Sequence, residues 1–285
     1  LGNDYRVHGK LDLSFSRRAQ RTVLHVRAQR PPLQVVRAFD LPDAAALVHL
    51  HTVSGGILGG DRLDLSVQLE ANAQVQLTTT SATRVYKSRE QAPPAFQSNQ
   101  IQLDEGSLLE YLPDALIPFA GSRFRQETYI TLAEGAGMFW WEVVAPGREA
   151  RGERFAYELL ELQTALYVGE CPILREQTRL EPRLRSLDSS ARLGHYRYMA
   201  TFYICKAGEP VARWTALEKQ LQQHTFDQTQ VGSILWGVSM LPAHGLLVRA
   251  LALRGRDIYP GLLRLWQVAK RELYGREAVL PRKIY

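Results

Sequence analysis

From Arg62 to Leu69 the chain alternates without a break, with Leu63, Leu65, Val67 and Leu69 facing one way and Asp64, Ser66 and Gln68 the other. Period two over such a stretch predicts a half-buried β-strand. Val75 and Leu77 resume the alternation after a short interruption, and the same grammar then returns twice. The stretch Val67 to Leu77 aligns with Ile101 to Tyr111 and with Ile130 to Trp140, at offsets of 34 residues (67 to 101) and 29 residues (101 to 130). Asn72, Gly106 and Gly135 fall at one shared position, where a tight turn calls for a left-handed residue. A weaker copy is expected over Thr22 to Val36. Recurrence at this spacing predicts a mainly β fold of stacked, helically wound strand layers, β-solenoid-like, each unit burying its face on the next. A β-sandwich of similar hairpins is the alternative.

Beyond residue 190 the pattern changes. His195 to Cys205 is aromatic-rich and strand-like, Val211 to His224 has helical spacing, and Gly232 to Arg254 predicts two strands turned at Pro242-Ala-His-Gly245. Pro260 opens a second helix at a first-turn position that proline tolerates. Leu262, Leu263, Trp266, Ala269 and Leu273 make its apolar face, and Gly275 ends it. The expected organisation is a repeated β region over 1–190, with a β-α-β-β-α extension over 191–285 packed on it as one continuous body.

Immediately before the alternation at Arg62 lies Gly55-Gly-Ile-Leu-Gly-Gly-Asp61, four glycines in six residues followed by a carboxylate. Glycine concentrates where φ is positive or another chain comes close, so this is a shaped loop. Gly55 and Gly60 have P-loop spacing, but Asp61 and Arg62 stand where Lys and Ser/Thr are required. Ile57 occupies the second glycine position of a dinucleotide fingerprint. Neither nucleotide site is expected.

The 285 residues are 45% hydrophobic and 22% charged, sufficient for a sizeable core. No run of 18 apolar residues occurs, so no membrane-spanning helix is expected. The first residues carry no apolar signal core; since the chain does not begin with Met, a removed leader stays open. Cys171 and Cys205 lie far apart in apolar surroundings, which fits a reducing compartment and two small buried hydrophobes. The net charge of +6 is scattered, without an aromatic-interleaved basic stripe, so an acidic protein partner is expected and nucleic acid is not.

The glycine loop, read as Gly55-Gly-Ile-Leu-Gly-Gly-Asp61-Arg-Leu63, resembles the GG-[IV]-x-GGD-x-L segment of the urease accessory proteins of the UreD/UreH family. Further blocks resemble that family in order. They are Thr78 to Ser88 (TTTSATRVYKS), Tyr111 to Gly121 (YLPDALIPFAG), Trp141-Glu142 with Pro146-Gly147-Arg148, Gly152-Glu153-Arg154-Phe155, and Leu280-Pro281-Arg282. Ala115 departs from the pattern, which has an acid there. The resemblance covers about residues 10 to 285. It implies a cytoplasmic, non-enzymatic scaffold of urease maturation that binds the urease apoprotein and the helical accessory protein UreF. Through UreF it would meet the GTPase UreG, in a dimer of such heterocomplexes. It also implies no tightly bound cofactor, with nickel in transit through an internal tunnel.

Nickel in transit needs few, weakly held ligands, and carboxylates and hydroxyls suit this better than thiolate clusters. Asp61, directly after the glycine loop, is the first candidate; a carboxylate capping its own turn is the other reading. Matching the family's tunnel positions block by block adds Thr83, Glu142 and Glu176. Glu142 alternates out of step with Trp141 and reads as a solvent-face residue, unless both strand faces are covered, in which case it needs an ion or a donor. Glu176 reads equally as a solvated glutamate. His49 and His51, two apart in a strand-like stretch, share a face; they are a metal pair or, lacking a third ligand nearby, structural. Arg62, Arg84 and Lys87 could pair with these carboxylates or meet an acidic partner. Leu116, Ile117 and Phe119, in a proline-bracketed loop, form either a docking surface or a plug over the end of the β stack. By resemblance, Trp266 on the second helix and Arg282 in the tail are candidate contacts with the helical partner. The rival readings are a β-solenoid carbohydrate-active hydrolase using Asp61, Glu142 or Glu176, and a carbohydrate-binding or adhesion module.

Overall fold

The three repeated units are neighbours in space, in the register their alignment predicts. In the computed structural model, which describes residues 6–281, Val67 lies opposite Ile101 and Ile101 opposite Ile130 in one sheet, while Leu77, Tyr111 and Trp140 are aligned in a second. The strands of the first half are β1 (His8–Arg18), β2 (Arg21–Arg30), β3 (Leu33–Gln34), β4 (Ala38–Asp40), β5 (Ala46–Thr52), β6 (Arg62–Leu69), β7 (Gln74–Thr79), β8 (Thr83–Val85) and β9 (Ala95–Leu103). There follow β10 (Leu108–Tyr111), β11 (Leu116–Pro118), β12 (Arg123–Leu132), β13 (Gly137–Val144), β14 (Leu159–Val168) and β15 (Cys171–Leu180). The C-terminal part contributes β16 (Tyr198–Lys206), α1 (Val211–Gln228), β17 (Ile234–Met240), β18 (Gly245–Ala252) and α2 (Ile258–Tyr274).

The first sheet has the order β15-β14-β12-β9-β6-β1-β2, and the main path of the second runs β17-β18-β16-β13-β10-β7-β5-β3. Strands β1, β6, β9, β12 and β14 are parallel neighbours, as are β5, β7, β10 and β13. The chain passes from one sheet to the other at each repeat through the left-handed turns at Asn72, Gly106 and Gly135 (φ 59°, 65° and 69°). These turns stack: the amide of Asn72 donates to Glu105 O and that of Gly106 to Glu134 O. A Cβ on Gly106 would lie 2.6 Å from the Asn72 side-chain oxygen, so the stacking adds to φ in favouring glycine there.

The weaker copy expected over Thr22 to Val36 is not a turn of this path. β2 returns antiparallel on β1, and it is β1 that lies parallel to β6, with Leu13 opposite Val67. A tight turn at Ala19 (φ 51°) makes the hairpin. At the C-terminal end β16 pairs antiparallel with β13, and β18 and β17 extend the sheet beyond it.

Two apolar cores result. Leu65, Val67, Leu77, Ile130, Met138 and Trp140 belong to the one between the sheets, whereas Phe139, Trp141, Val143, Leu217, Leu262 and Trp266 belong to the one between the second sheet and the helices. Successive residues of β13 thus enter different cores, so both its faces are covered. α2 begins at Ile258, one residue pair before the expected Pro260, and Gly275 closes it at φ 62°. An ion pair fixes α2 on the sheet. Glu110, 2% exposed on β10, accepts from Trp266 Nε1 at 2.8 Å and from Lys270 Nζ at 3.1 Å; Lys270, 1% exposed, also reaches Asp43 at 3.4 Å. Charges this deep are tolerated because each is paired and hydrogen-bonded.

Candidate functional site

The glycine loop is shaped by the close approach of the chain around β8. Ile57 N donates to Arg84 O and Tyr86 N to Ile57 O, both at 2.8 Å, and a Cβ on Gly56 would sit 2.6 Å from the Tyr86 ring. Asp61, 3% exposed, accepts from the amide of Leu58 at 2.9 Å with one oxygen and from that of Val7 at 3.2 Å with the other. Its carboxylate therefore ties its own turn to the N-terminal segment, and it lies outside the lining of the cavities described next.

A line of small cavities crosses between the sheets, roughly transverse to the strands. The first, about 80 Å³, is bordered by Gly55, Gly56, Thr79, Thr83, Gln97 and Tyr111 among others. Thr79, Thr83, Gln97 and Tyr111 also line the second, about 50 Å³, which reaches Asn99, Gln126, Leu116 and Glu142. Glu142 in turn borders the third, about 30 Å³, with Thr164, Glu176, Thr178, Thr201 and Tyr203. Thr83 is thus at the junction of the first and second cavities and Glu142 at that of the second and third.

These cavities exist because one tier of the inter-sheet core is polar. Across the first sheet, Asn99 is opposite Thr128, Thr128 opposite Thr164, and Thr164 opposite Glu176; one level away Gln97 faces Gln126. Gln97 donates to Asn99 at 2.9 Å and Asn99 to Thr128 at 3.0 Å. The opposing wall is an aromatic ladder from the second sheet, with Trp140 stacked 4.7 Å from Tyr203 and nearly parallel to Tyr111 at 6.5 Å.

Glu142 projects from β13 into this tier, on the Trp140 side of the strand. It is half-buried and borders two of the cavities, and it accepts from Gln126 Nε2 at 2.6 Å. Burial raises its pKa to about 7, the Gln126 bond opposes that rise, and the nearby Glu176 charge adds to it. Burial, and then the Glu142 charge, hold the Tyr111 and Tyr203 hydroxyls protonated well above the usual phenol range. Glu176 sits at the far end, where Arg249 Nη2 donates to it at 2.9 Å and the Tyr203 hydroxyl at 3.4 Å. It is a clamped, mostly buried carboxylate, unlike the solvated glutamate of the simpler expectation.

His49 and His51 share the wall of a separate cavity of about 490 Å³ that abuts the first through Thr79 and Thr80. Leu116 belongs to β11, which pairs with β8, and it walls the Glu142 cavity. Ile117 and Phe119 are partly buried, Phe119 under the Arg148 guanidinium at 4.2 Å and against Tyr86. Trp266 corrects an expectation: it is 0% exposed, with its indole N–H on Glu110, so its apolar face serves the helix–sheet core and is not a contact surface. Arg282 lies outside the described residues. Cys205 is buried, which pushes its thiol up to about 12, but Cys171 is exposed at the start of β15, where a buried residue was expected. Arg62 pairs with Asp64 at 3.3 Å, not with Asp61.

Sequence reasoning missed Asn99, Gln126, Thr128, Tyr203 and Arg249. A signal existed for two of them. Asn99 and Thr128 stand two residues before Ile101 and Ile130, as Leu65 stands two before Val67, so the repeat alignment already places polar residues at an inward position.

Fold and site together define a class: a two-sheet β protein, flanked by helices, with a row of small polar-lined cavities in its otherwise apolar inter-sheet core. The family model described as UreD urease accessory protein matches residues 7–284. A urease accessory protein UreD of Herpetosiphon aurantiacus is 50% identical over 280 residues, covering 98% of this chain and 97% of its own. Those of a Bacillus species (30%, 96% and 98% covered) and of Pseudomonas aeruginosa (32%, 96% and 94%) are similar over nearly the same span. The chain belongs to the UreD family of urease accessory proteins.

Proposed function

We propose that this chain is a scaffold of urease maturation, holding apo-urease and the other accessory proteins while nickel crosses between its two sheets to the nascent urease active site. Family membership supports the maturation role. The observation that carries the conduit is the polar tier itself. A two-sheet core gains most from apolar packing, yet here amides, hydroxyls and the Glu142 carboxylate line contiguous voids. A divalent cation entering such a space would lose hydration, at a cost well above the several kcal/mol of a singly charged ion, because desolvation scales with the square of the charge. Thr83, the carboxamides of Gln97 and Gln126, and the charges of Glu142 and Glu176 would offset that loss. Oxygen donors of this kind hold nickel loosely enough to release it. Asp61, spent on its turn, supports the mouth of the passage without lining it.

On this reading no catalysis is performed and no cofactor is held. The partners are the urease apoprotein, UreF and, through UreF, UreG, assembled as a dimer of heterocomplexes in the cytoplasm. The hydrolase reading has one observation in its favour, a pair of coupled carboxylates of which one has a raised pKa. Glu142 borders only cavities of about 50 and 30 Å³, whereas small-molecule sites span roughly 300–1,000 Å³; a cavity of about 360 Å³ reaches Glu176 but not Glu142, so the two carboxylates do not share a site of that size. Co-expression of urease subunits with the accessory set in nickel medium tests the proposal. Omitting this chain should leave soluble apo-urease, and Glu142→Leu should lower urease nickel while the complex still assembles. Unchanged nickel and activity in the chain's absence would end the maturation reading.

A further inference from the structure

Near the glycine-loop end of the passage, β5 turns two imidazoles to one side. His49 and His51 are two residues apart on the strand and both line the cavity of about 490 Å³, whose Thr79 and Thr80 are shared with the first cavity of the passage. Phe39 meets the His49 ring edge-on at 5.8 Å and is itself covered by the Arg37 guanidinium at 4.5 Å, so one wall is ordered by stacking. We propose that His49 and His51 form a two-nitrogen site for a borderline divalent first-row cation, open on its remaining coordination positions, where the ion is selected before it meets the oxygen donors of the passage.

Geometry and donor chemistry support this. Residues two apart on a strand project to one face, and both imidazoles border the same cavity. Among the described residues no third His, Cys, Asp or Glu joins the pair, and Arg37 adds a positive charge to the same wall. The remaining ligands are therefore water, the Thr79 or Thr80 hydroxyl or a docked partner, and the ion is held weakly enough to exchange. Lastly, the donor types differ along the path. Carboxylates and amide oxygens such as those around Glu142 also suit Mg²⁺ and Ca²⁺, whereas paired imidazoles favour nickel, copper and zinc. A nitrogen site ahead of the oxygen tier supplies the discrimination that the tier itself lacks. That role rests on the conduit reading; the binding does not.

The test is calorimetric titration of the untagged chain with Ni²⁺ alone and with Mg²⁺ alone. The wild-type chain is expected to bind one equivalent of Ni²⁺ that the His49→Ala/His51→Ala double variant loses or holds at least about tenfold more weakly, with no corresponding Mg²⁺ binding. Should the double variant misfold, Cu²⁺ added to the wild-type chain gives an independent reading, and its electron paramagnetic resonance should carry hyperfine coupling from two imidazole nitrogens. Identical Ni²⁺ binding by wild type and variant, or a copper spectrum without that coupling, overturns the site. Thr83→Leu separates the two proposals, because it should retain this equivalent of Ni²⁺ and yet impair urease loading. Retained Ni²⁺ with normal loading would remove the conduit and leave the histidine site standing.

Discussion

Replacing Glu142 by glutamine removes a carboxyl group that the folded chain holds at a pKa of about 7 against an ordinary value of 4.5. Between those values the folded chain keeps a proton that the unfolded chain has already released, so the wild-type protein loses stability as pH rises from about 4.5 to about 7 and is level above that. The difference corresponds to about 3 kcal/mol once both states are ionised, to be taken as an order of magnitude. Glutamine keeps the shape and a partner for Gln126 but carries no charge to desolvate. Urea unfolding of both proteins at pH 5 and at pH 8 reads the effect, and contributions from every other titrating group cancel in the difference. The variant should gain about 2–3 kcal/mol over wild type at pH 8 and much less at pH 5. An equal difference at both pH values would refute the claim that Glu142 is a desolvated carboxyl between the sheets.

Other consequences are more local. Lys270→Met strands the buried Glu110 and should cost about 3–5 kcal/mol in a chemical denaturation series, most of it recovered in the Glu110→Leu/Lys270→Met double variant. Asp61→Ala leaves the amides of Leu58 and Val7 without their acceptor and should cost about 1–3 kcal/mol, seen as a lower thermal midpoint. If that variant instead keeps its stability and loses only urease nickel, Asp61 belongs to the passage. Arg249→Gln breaks a pair whose arginine is exposed although its glutamate is mostly buried, and should alter stability by about 1 kcal/mol. It frees Glu176 at the far end, so nickel loading of urease should change although the fold does not.

Much of this architecture was legible because its information is local and repeated. Alternation placed the strands, the common position of Asn72, Gly106 and Gly135 placed the turns, and the Gly275 stop placed the end of α2. What local pattern cannot carry is the partner of an element. β2 has the same alternation whether it continues a winding path or folds back on β1, and only the short turn at Ala19 decides for the hairpin. Trp266 sits on an apolar helix face that would suit a second protein equally well; the sheet that covers it, through Glu110, is 156 residues away along the chain. Glu142 was half legible. The run Met138 to Trp141 signals a strand covered on both faces, but that its carboxylate meets Gln126, cavity and the Glu176 charge depends on strands from the other sheet. Asp61 was legible as a turn carboxylate or as a metal handle, but its bond to the amide of Val7, 54 residues distant, was not.

The central claim is that nickel reaches urease through the space between the sheets, and a bulkier side chain at Thr83, which with Thr79, Gln97 and Tyr111 borders both the first and the second cavity, would narrow that space. The decisive measurement is nickel per urease active site, by mass spectrometry of the metal, after maturation with wild-type chain, Thr83→Ser or Thr83→Leu, each purified as the intact accessory complex. The account predicts equal complex stoichiometry in all three, wild-type nickel with serine, and a several-fold loss with leucine. Full nickel occupancy with Thr83→Leu in an intact complex would contradict it.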